Sequence, residues 1–127
     1  NLAPVLGYDV SIPASRMVAF AEVLTASIDE LHPGNTTLIF GHVGDGNLHI
    51  TTTAGASDPE QSHAINSLVF KLTAANQGSI SAEHGIGILK RPYLSYSRSE
   101  ADITLMRTLK TALDPKGILS PGRIFEV

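Results

Sequence analysis

Apolar residues recur along the chain with two spacings, one typical of strands and one typical of helices. Short or alternating apolar runs predict strands over 6–12, 36–41, 48–53 and 79–82. Apolar positions three and four residues apart predict helices over 15–31, 60–76 and 99–113. The first six elements follow the order βαββαβ. This order predicts an α+β domain with a ferredoxin-like antiparallel sheet, both crossover helices on one face, and a C-terminal helix and tail.

The segment 41–49, GHVGDGNLH, predicts a tight hairpin within this sheet. Asp45-Gly46 between two apolar runs is a strong signal for a two-residue turn, because glycine adopts positive φ without strain. With that turn, His42 would lie directly opposite His49, and their Cβ atoms would be roughly 5 Å apart. The register therefore aims two imidazoles at a shared point on the face that the helices leave free.

Side chains alternate along a strand, so the hairpin has a polar face and an apolar face. Asn47 shares the face of the two histidines, and the opposite face carries aliphatic residues. These are Ile39, Val43, Leu48 and Ile50. Leu38 and Phe40 fall on the histidine face, and we expect another part of the protein to cover them.

A second polar cluster follows the predicted strand 79–82. Glu83 and His84 lie beside glycines that permit close backbone approach. Together with the two hairpin histidines, Glu83 would complete a set of two nitrogens and one oxygen, which suits zinc or another divalent ion with open coordination positions. His84 would point away from Glu83 in extended backbone and stay free as an acid or base. Lys90 offers a cation for a substrate carboxylate. The plainer interpretation is solvated histidines and an ordinary surface lysine.

Composition and charge narrow the functional classes. The chain has 127 residues, the length of one domain, and 43% of them are hydrophobic. Nine Lys and Arg against 12 Asp and Glu, with no basic run, argue against nucleic acid as a partner. There is no Cys, so a metal would need His and carboxylate ligands. No apolar run approaches the roughly 20 residues of a membrane span. Because the chain starts with Asn and almost at once with a strand, we expect a piece of a longer protein.

Three motifs in this order carry a family resemblance: GHVGDGNLH at 41–49, SAEHGIG at 81–87 with Lys90, and LDPKGILSPG at 113–122. They resemble the C-terminal part of FAD-linked 2-hydroxyacid dehydrogenases of the vanillyl-alcohol oxidase type. That group includes D-lactate dehydrogenase, the glycolate oxidase flavin subunit and D-2-hydroxyglutarate dehydrogenase. The resemblance runs from about Tyr8 to the end of the chain.

The resemblance implies that residues 1–127 form a single domain from which the FAD-binding domain is absent. With that domain, the protein would oxidise a D-2-hydroxyacid to a 2-oxoacid and transfer a hydride to FAD. The fragment alone would neither bind FAD tightly nor turn over.

Roles for individual residues follow from the same resemblance. It implies that a divalent metal, with zinc or manganese expected, is bound by His42, His49 and Glu83. His84 would remove the hydroxyl proton, and Asn47 would contact the substrate. Lys90 matches a basic position near the substrate carboxylate. The resemblance implies a flavin contact at Ser120, but the family usually has Asn there before Pro-Gly, so this departure weakens the expectation of that contact.

The partners expected from this assignment are a small 2-hydroxyacid and the FAD-binding domain, with homodimerisation through exposed apolar surface. The location expected is cytoplasmic, free or peripheral to the inner membrane, or mitochondrial in a eukaryote. Two other classes stay open. A stand-alone ferredoxin-like ligand-binding or regulatory module would bind an effector without metal and tolerate loss of His84. A metal-dependent hydrolase would need a metal-bound water and no flavin.

Overall fold

The segments with strand-like spacing of apolar residues form an antiparallel sheet, and those with helical spacing form helices. The computed structural model describes residues 4–126. Its strands are β1 (Leu6–Ser11), β2 (Thr37–His42) and β3 (Asn47–Thr52). Its α-helices are α1 (Met17–Leu31), α2 (Pro59–Ala75) and α3 (Glu100–Leu113), with 3-10 turns at Ala14–Arg16 and Arg91–Tyr96. The predicted α+β class is confirmed.

The sheet has the order β1-β3-β2, with both outer strands antiparallel to β3. One face packs against α1 and α2 and forms the main core. Fully buried members of this core are Val10, Ile12, Phe20, Leu24, Ile28, Ile50, Ile65 and Val69. Burying each such side chain contributes roughly 1.5–3 kcal/mol, so the helix-covered face holds the sheet together. The opposite face is left for polar chemistry.

Side-chain caps define where two of the helices begin. The Asp58 carboxylate accepts from the backbone N–H groups of Glu60 and Gln61 at 2.8 and 3.0 Å, so Asp58 is the N-cap of α2. At α3, Ser99 and Asp102 form a reciprocal capping box. Both caps satisfy backbone donors that the first helical turn leaves unpaired.

Helix α3 packs more loosely than its sequence predicts. Its apolar residues share one helical face and, by their spacing, predict burial of Ile103, Met106, Leu109 and Leu113. Only Ile103 is buried, in a small cluster with Leu94 and Phe125, while Leu109 and Leu113 are 52% and 80% exposed. The periodic pattern is real, but within residues 4–126 too little apolar surface faces this helix to cover the stripe.

The predicted hairpin register is wrong by two residues. His42 pairs with Asn47, and Phe40 pairs with His49, so the connection is the four-residue loop 43–46. Two contacts explain the longer loop. The Asp45 carboxylate accepts from the Asn47 N–H at 3.1 Å, and the Gly46 carbonyl accepts from the Ile12 N–H at 2.8 Å. A slip of two residues preserves the alternation, so the histidines still share one face.

The predicted strand 79–82 is reduced to a single bridge. Ser79 and Ser11 exchange two backbone hydrogen bonds of 2.9 Å, and no further pairing follows over the described residues. Gly78 permits this approach, because a Cβ there would lie 2.2 Å from the Ser11 carbonyl oxygen. The ferredoxin-like βαββαβ order is therefore not confirmed. No helix within residues 4–126 combines the length and the apolar character needed to cross a membrane.

Candidate functional site

The free face of the sheet opens into a cleft of about 890 Å³. Phe40 and His49 form one side, and the glycine-containing loop 85–89 forms another. The ionisable side chains that gather at the cleft beside the sheet are those of Asp9, His49, His84, Lys90 and Arg123, and the hydroxyl-bearing Tyr8 and Thr51 also line it. His42, Asn47 and Glu83 do not line it. The apolar lining with a few convergent polar groups is typical of a small-molecule site.

Three imidazoles stand in a row beside the cleft. The ring of His49 is 6.1 Å from the ring of His42 and 6.5 Å from that of His84, measured between centroids. Phe40, directly opposite His49 in the sheet, packs at 5.4 Å. The hairpin therefore brings His42 and His49 together diagonally, although not through the pairing that the sequence predicted.

Glu83 joins this row between two of the rings. Its Oε1 lies 3.7 Å from Nε2 of His49 and 3.6 Å from Nε2 of His84. The prediction that Glu83 and His84 point apart is wrong, because the backbone here is bent rather than extended. It bends because three successive N–H groups, those of residues 82–84, turn toward one oxygen of Asp9.

Asp9 connects the elements of the site. It lies opposite His49 in the sheet and is only 3% exposed. Its Oδ2 accepts the three backbone N–H groups at 2.9, 2.9 and 3.2 Å. Its Oδ1 lies 3.0 Å from Nδ1 of His84 and 2.7 Å from Nζ of Lys90. Burial alone would raise the pKa of Asp9, but the Glu83 N–H, the Lys90 ammonium and the His84 N–H hold this pKa well below its ordinary value.

Lys90 is engaged rather than free. Its side chain is 15% exposed, and Nζ contacts both Oδ1 and the backbone oxygen of Asp9. An ammonium has three N–H donors, so these two contacts leave one for a ligand. Arg123 is the other cation lining the cleft, and it forms no ion pair within residues 4–126.

Asn47 is 5% exposed, and its Oδ1 is the one buried side-chain polar atom of residues 4–126 without a hydrogen-bond partner. A buried carbonyl oxygen without a partner costs roughly 1–3 kcal/mol.

Ser120 lies in the exposed tail after α3, outside the cleft lining, with a φ of 46°. The tail is tied back by Asp114, which accepts from the backbone N–H groups of Ile118 and Leu119.

The proposed metal ligands are neighbours but do not converge on one point. Two imidazoles and a carboxylate suit zinc or manganese chemically. However, no group of three His, Asp or Glu side chains within residues 4–126 is arranged to hold an ion. His42 instead turns Nδ1 toward Asp45, 3.8 Å away. The donor set fits a divalent ion, whereas its present side-chain arrangement does not.

Sequence reasoning missed Asp9 and Arg123. Asp9 lies in a strand whose neighbours Tyr8 and Val10 are core residues, and its partners are more than 70 positions away in the chain. Its one local signal is a charged residue within an apolar strand. Arg123 stands beside a Pro-Gly pair in the tail, and nothing local indicates that the tail returns to the cleft.

Comparison with known proteins places this site in a family. Residues 3–124 match the family described as "FAD linked oxidases, C-terminal domain". The chain belongs to this family. The residues of the candidate site, from Asp9 to Arg123, lie within the matched region of the FAD linked oxidase C-terminal domain.

Several relatives of this domain are named D-2-hydroxyglutarate dehydrogenase. It is 41% identical to the D-2-hydroxyglutarate dehydrogenase of Stutzerimonas stutzeri, covering 92% of the chain and 26% of the relative. It is 42% identical to the mitochondrial D-2-hydroxyglutarate dehydrogenase of Bos taurus, over 92% of the chain and 21% of the relative. It is 36% identical to the mitochondrial D-2-hydroxyglutarate dehydrogenase of Arabidopsis thaliana, over 92% of the chain and 20% of the relative. The chain thus spans about a quarter or less of the length of these relatives.

Proposed function

We propose that this chain is the substrate-binding and metal-binding C-terminal domain of a longer flavoprotein that oxidises a D-2-hydroxyacid to a 2-oxoacid. The observation that carries the proposal is the meeting of His49, Glu83 and His84 beside the cleft, in a chain of the FAD linked oxidase family. Relatives named D-2-hydroxyglutarate dehydrogenase support the substrate class. The FAD-binding domain would be a separate domain of the same protein, and residues 1–127 would form one domain.

His84 is the proposed proton acceptor. Its side chain is 67% exposed, so a substrate can reach it, and Nε2 lies on the side of Glu83 and His49. A neutral imidazole is a suitable base near pH 7. FAD, held by its own domain, would supply the hydride acceptor, and a divalent ion held by His42, His49 and Glu83 would supply polarisation of the substrate hydroxyl. The proton from that hydroxyl would pass to Nε2 of His84.

The proposed metal ligands are His42, His49 and Glu83, and zinc or manganese is expected. Their proximity supports this proposal: the two rings are 6.1 Å apart, and Glu83 is 3.7 Å from His49. The side chains of His42 and Glu83 are 70% and 52% exposed. Both can therefore change rotamer toward a common point without disturbing the core.

The proposed substrate contacts are Asn47, Lys90 and Arg123. Lys90 offers its third N–H at the cleft. Asn47 lies outside the cleft lining and its unpaired amide oxygen is buried, so its contact would require the end of the hairpin to open toward the substrate. Arg123 supplies a second cation at the cleft, which favours a hydroxyacid with two carboxylates over one with a single carboxylate. At the position near the flavin, the hydroxyl of Ser120 offers fewer hydrogen bonds than the usual Asn, so the contact there would be weaker.

Leu38 and Phe40 are 59% and 58% exposed on the site face. We propose that the FAD-binding domain covers them, and that the isolated chain self-associates into dimers through them. The Ser11–Ser79 bridge supports a ferredoxin-like fourth strand that is completed in the assembled protein. Relatives named as mitochondrial support a mitochondrial location if the protein is eukaryotic. In a bacterium, the proposed location is the cytoplasm, free or peripheral to the inner membrane.

The first experiment measures metal content and dye reduction in the full-length protein. The wild type is compared with His49→Ala, Glu83→Ala and the control His32→Ala, which changes a histidine after α1 on the other side of the sheet. We expect one divalent ion per chain and reduction of a dye by D-2-hydroxyglutarate or D-lactate. The site variants lose both, while the control keeps both. A protein without flavin, or one that reduces no dye with any 2-hydroxyacid, contradicts the proposal.

A further inference from the structure

The contacts of Asp9 are divided between its two oxygens. Oδ2 takes the backbone N–H groups of residues 82–84, with the Ser81 hydroxyl at 3.4 Å. Oδ1 takes the two functional groups, Nδ1 of His84 and Nζ of Lys90. Oδ2 therefore stabilises the backbone bend at residues 82–84, and Oδ1 holds the side chains of His84 and Lys90 in place.

An ionised carboxylate can only accept hydrogen bonds. This carboxylate is 3% exposed and receives an ammonium and several N–H donors, which favour its ionised form. An imidazole nitrogen 3.0 Å from such an acceptor must donate its hydrogen. In neutral His84 the proton is then on Nδ1, and Nε2 carries the free lone pair.

We propose that Asp9 is a positioning residue that fixes His84 in the Nδ1–H tautomer and holds Lys90 beside it. Nε2 is then the only ring nitrogen of His84 able to accept a proton. Only the role of Nε2 as the catalytic base rests on the proposed function. The tautomer itself can be measured without flavin, metal or turnover.

In the variant Asp9→Asn, we expect the ring proton of His84 to lie on Nε2 instead of Nδ1. The three backbone N–H groups around Oδ2 require an acceptor, so the amide oxygen takes that position. The amide NH₂ then faces Nδ1 of His84 and Nζ of Lys90. A donor in front of Nδ1 forces this nitrogen to accept, so the ring proton moves to Nε2. An Asp-to-Asn change beside a catalytic histidine has this effect in Ser-His-Asp triads.

Asp114 provides a matched control. It is 8% exposed, accepts two backbone N–H groups at 3.0 and 2.9 Å, and pairs with Lys110. It therefore resembles Asp9 in burial and partners but contacts no histidine within the described residues. Asp114→Asn should perturb folding to a similar degree and leave the His84 ring unchanged.

The test is 15N NMR of the full chain with labelled histidines, in chelator, at about pH 8.5, roughly two units above the ordinary histidine pKa. The His84 signals are assigned by loss in His84→Gln. We expect a pyrrole-type Nδ1 and a pyridine-type Nε2 in the wild type and in Asp114→Asn, and the reverse in Asp9→Asn. A wild-type ring protonated at Nε2, or an Asp9→Asn ring still protonated at Nδ1, overturns the proposal. If Asp9→Asn does not fold, the wild-type ring alone decides.

A kinetic measurement separates this inference from the proposed function. In the full-length protein, Asp9→Asn should lower kcat by about 10²–10⁴-fold, the range for losing a correctly oriented base. Asp114→Asn should keep the wild-type kcat. A wild type that turns over no hydroxyacid contradicts the proposed function and leaves the tautomer result standing. An active Asp9→Asn enzyme with unchanged kcat contradicts the role of Asp9.

Discussion

Gly41 is the position where the hairpin is least able to accept a side chain. It pairs with Leu48 across β2 and β3 and has a φ of 155°. A Cβ there would lie 2.1 Å from the Asn47 carbonyl oxygen and 3.0 Å from the Leu48 Cα. Real Cβ atoms essentially never approach within 3.0 Å of such an atom, and here the obstacle is backbone. In Gly41→Ala the two strands must therefore separate by about 1 Å, by the limits of close packing.

The expected cost of Gly41→Ala has two parts. Forcing an extra methyl into a packed region costs about 1–3 kcal/mol. Holding a non-glycine residue at an unfavourable φ costs about 1–3 kcal/mol more. The total, about 2–6 kcal/mol, is a large share of the 5–15 kcal/mol typical of a domain. A loss of about 3 kcal/mol lowers the urea midpoint by about 1.5 M when m is about 2 kcal/mol/M.

The assay is urea unfolding followed by far-UV circular dichroism, with Gly44→Ala as the control. Gly44 lies in the same hairpin, and a Cβ added there meets no heavy atom within 4 Å. The control should lie within about 0.5 kcal/mol of the wild type. Equal midpoints for Gly41→Ala and Gly44→Ala would refute the close approach of β2 to β3 on which the positions of His42 and His49 depend.

Three further results are expected. Because the folded-state pKa of Asp9 is lowered, its stabilising contribution is complete above the ordinary aspartate pKa of about 3.9 and is lost as pH falls through the folded value. The free energy of unfolding should thus fall more steeply below about pH 4 in the wild type than in Asp9→Asn; parallel curves would contradict this. Asp58→Ala should cost about 1 kcal/mol by removing the N-cap of α2, and an unchanged urea midpoint would contradict the cap. Arg123→Gln should raise KM for D-2-hydroxyglutarate more than for D-lactate, and an equal effect on both would remove the second-carboxylate role.

The helices and their caps were predictable from sequence because their signals are local. Asp58 before Pro59 and Ser99 before Asp102 each place a capping oxygen within three residues of the N–H group that it satisfies. Likewise, the alternation in β2 and β3 put the histidines on one face before the register was known. These features depend on spacing along the chain, which the sequence records directly.

The hairpin register and the fourth strand depend on distant contacts. The loop 43–46 is set partly by the Ile12 N–H, more than 30 residues earlier. The bend at 82–84 is set by Asp9, more than 70 residues earlier. The local sequence contains only Asp45-Gly46 and the short apolar run at 79–82. It therefore predicted a two-residue turn in the hairpin and a full fourth strand. The longer loop follows from the hydrogen bond of the Ile12 N–H, just after β1, and the bend at 82–84 follows from the carboxylate of Asp9 within β1.

Several residues of the candidate site were predictable from sequence, but Asp9, Arg123 and the hydrogen bonds that join the site were not. The motifs named His42, His49, Glu83 and His84, and the structure brings the last three within 4 Å of a neighbour in the set. The structure adds a contact between the Lys90 ammonium and Asp9 that the sequence did not indicate. Such a pairing between a strand residue and a loop residue leaves no periodic signal, and only three-dimensional structure reveals it.

The role of His84 is tested most directly by rapid anaerobic mixing of the full-length protein, proposed to carry FAD, with D-2-hydroxyglutarate, following flavin absorbance. We predict bleaching in the wild type and bleaching at least about 10²-fold slower in His84→Asn, with substrate affinity retained, because only the proton acceptor is lost. Bleaching of His84→Asn at the wild-type rate, in a variant that still binds flavin and substrate, would contradict the assignment of His84 as the base.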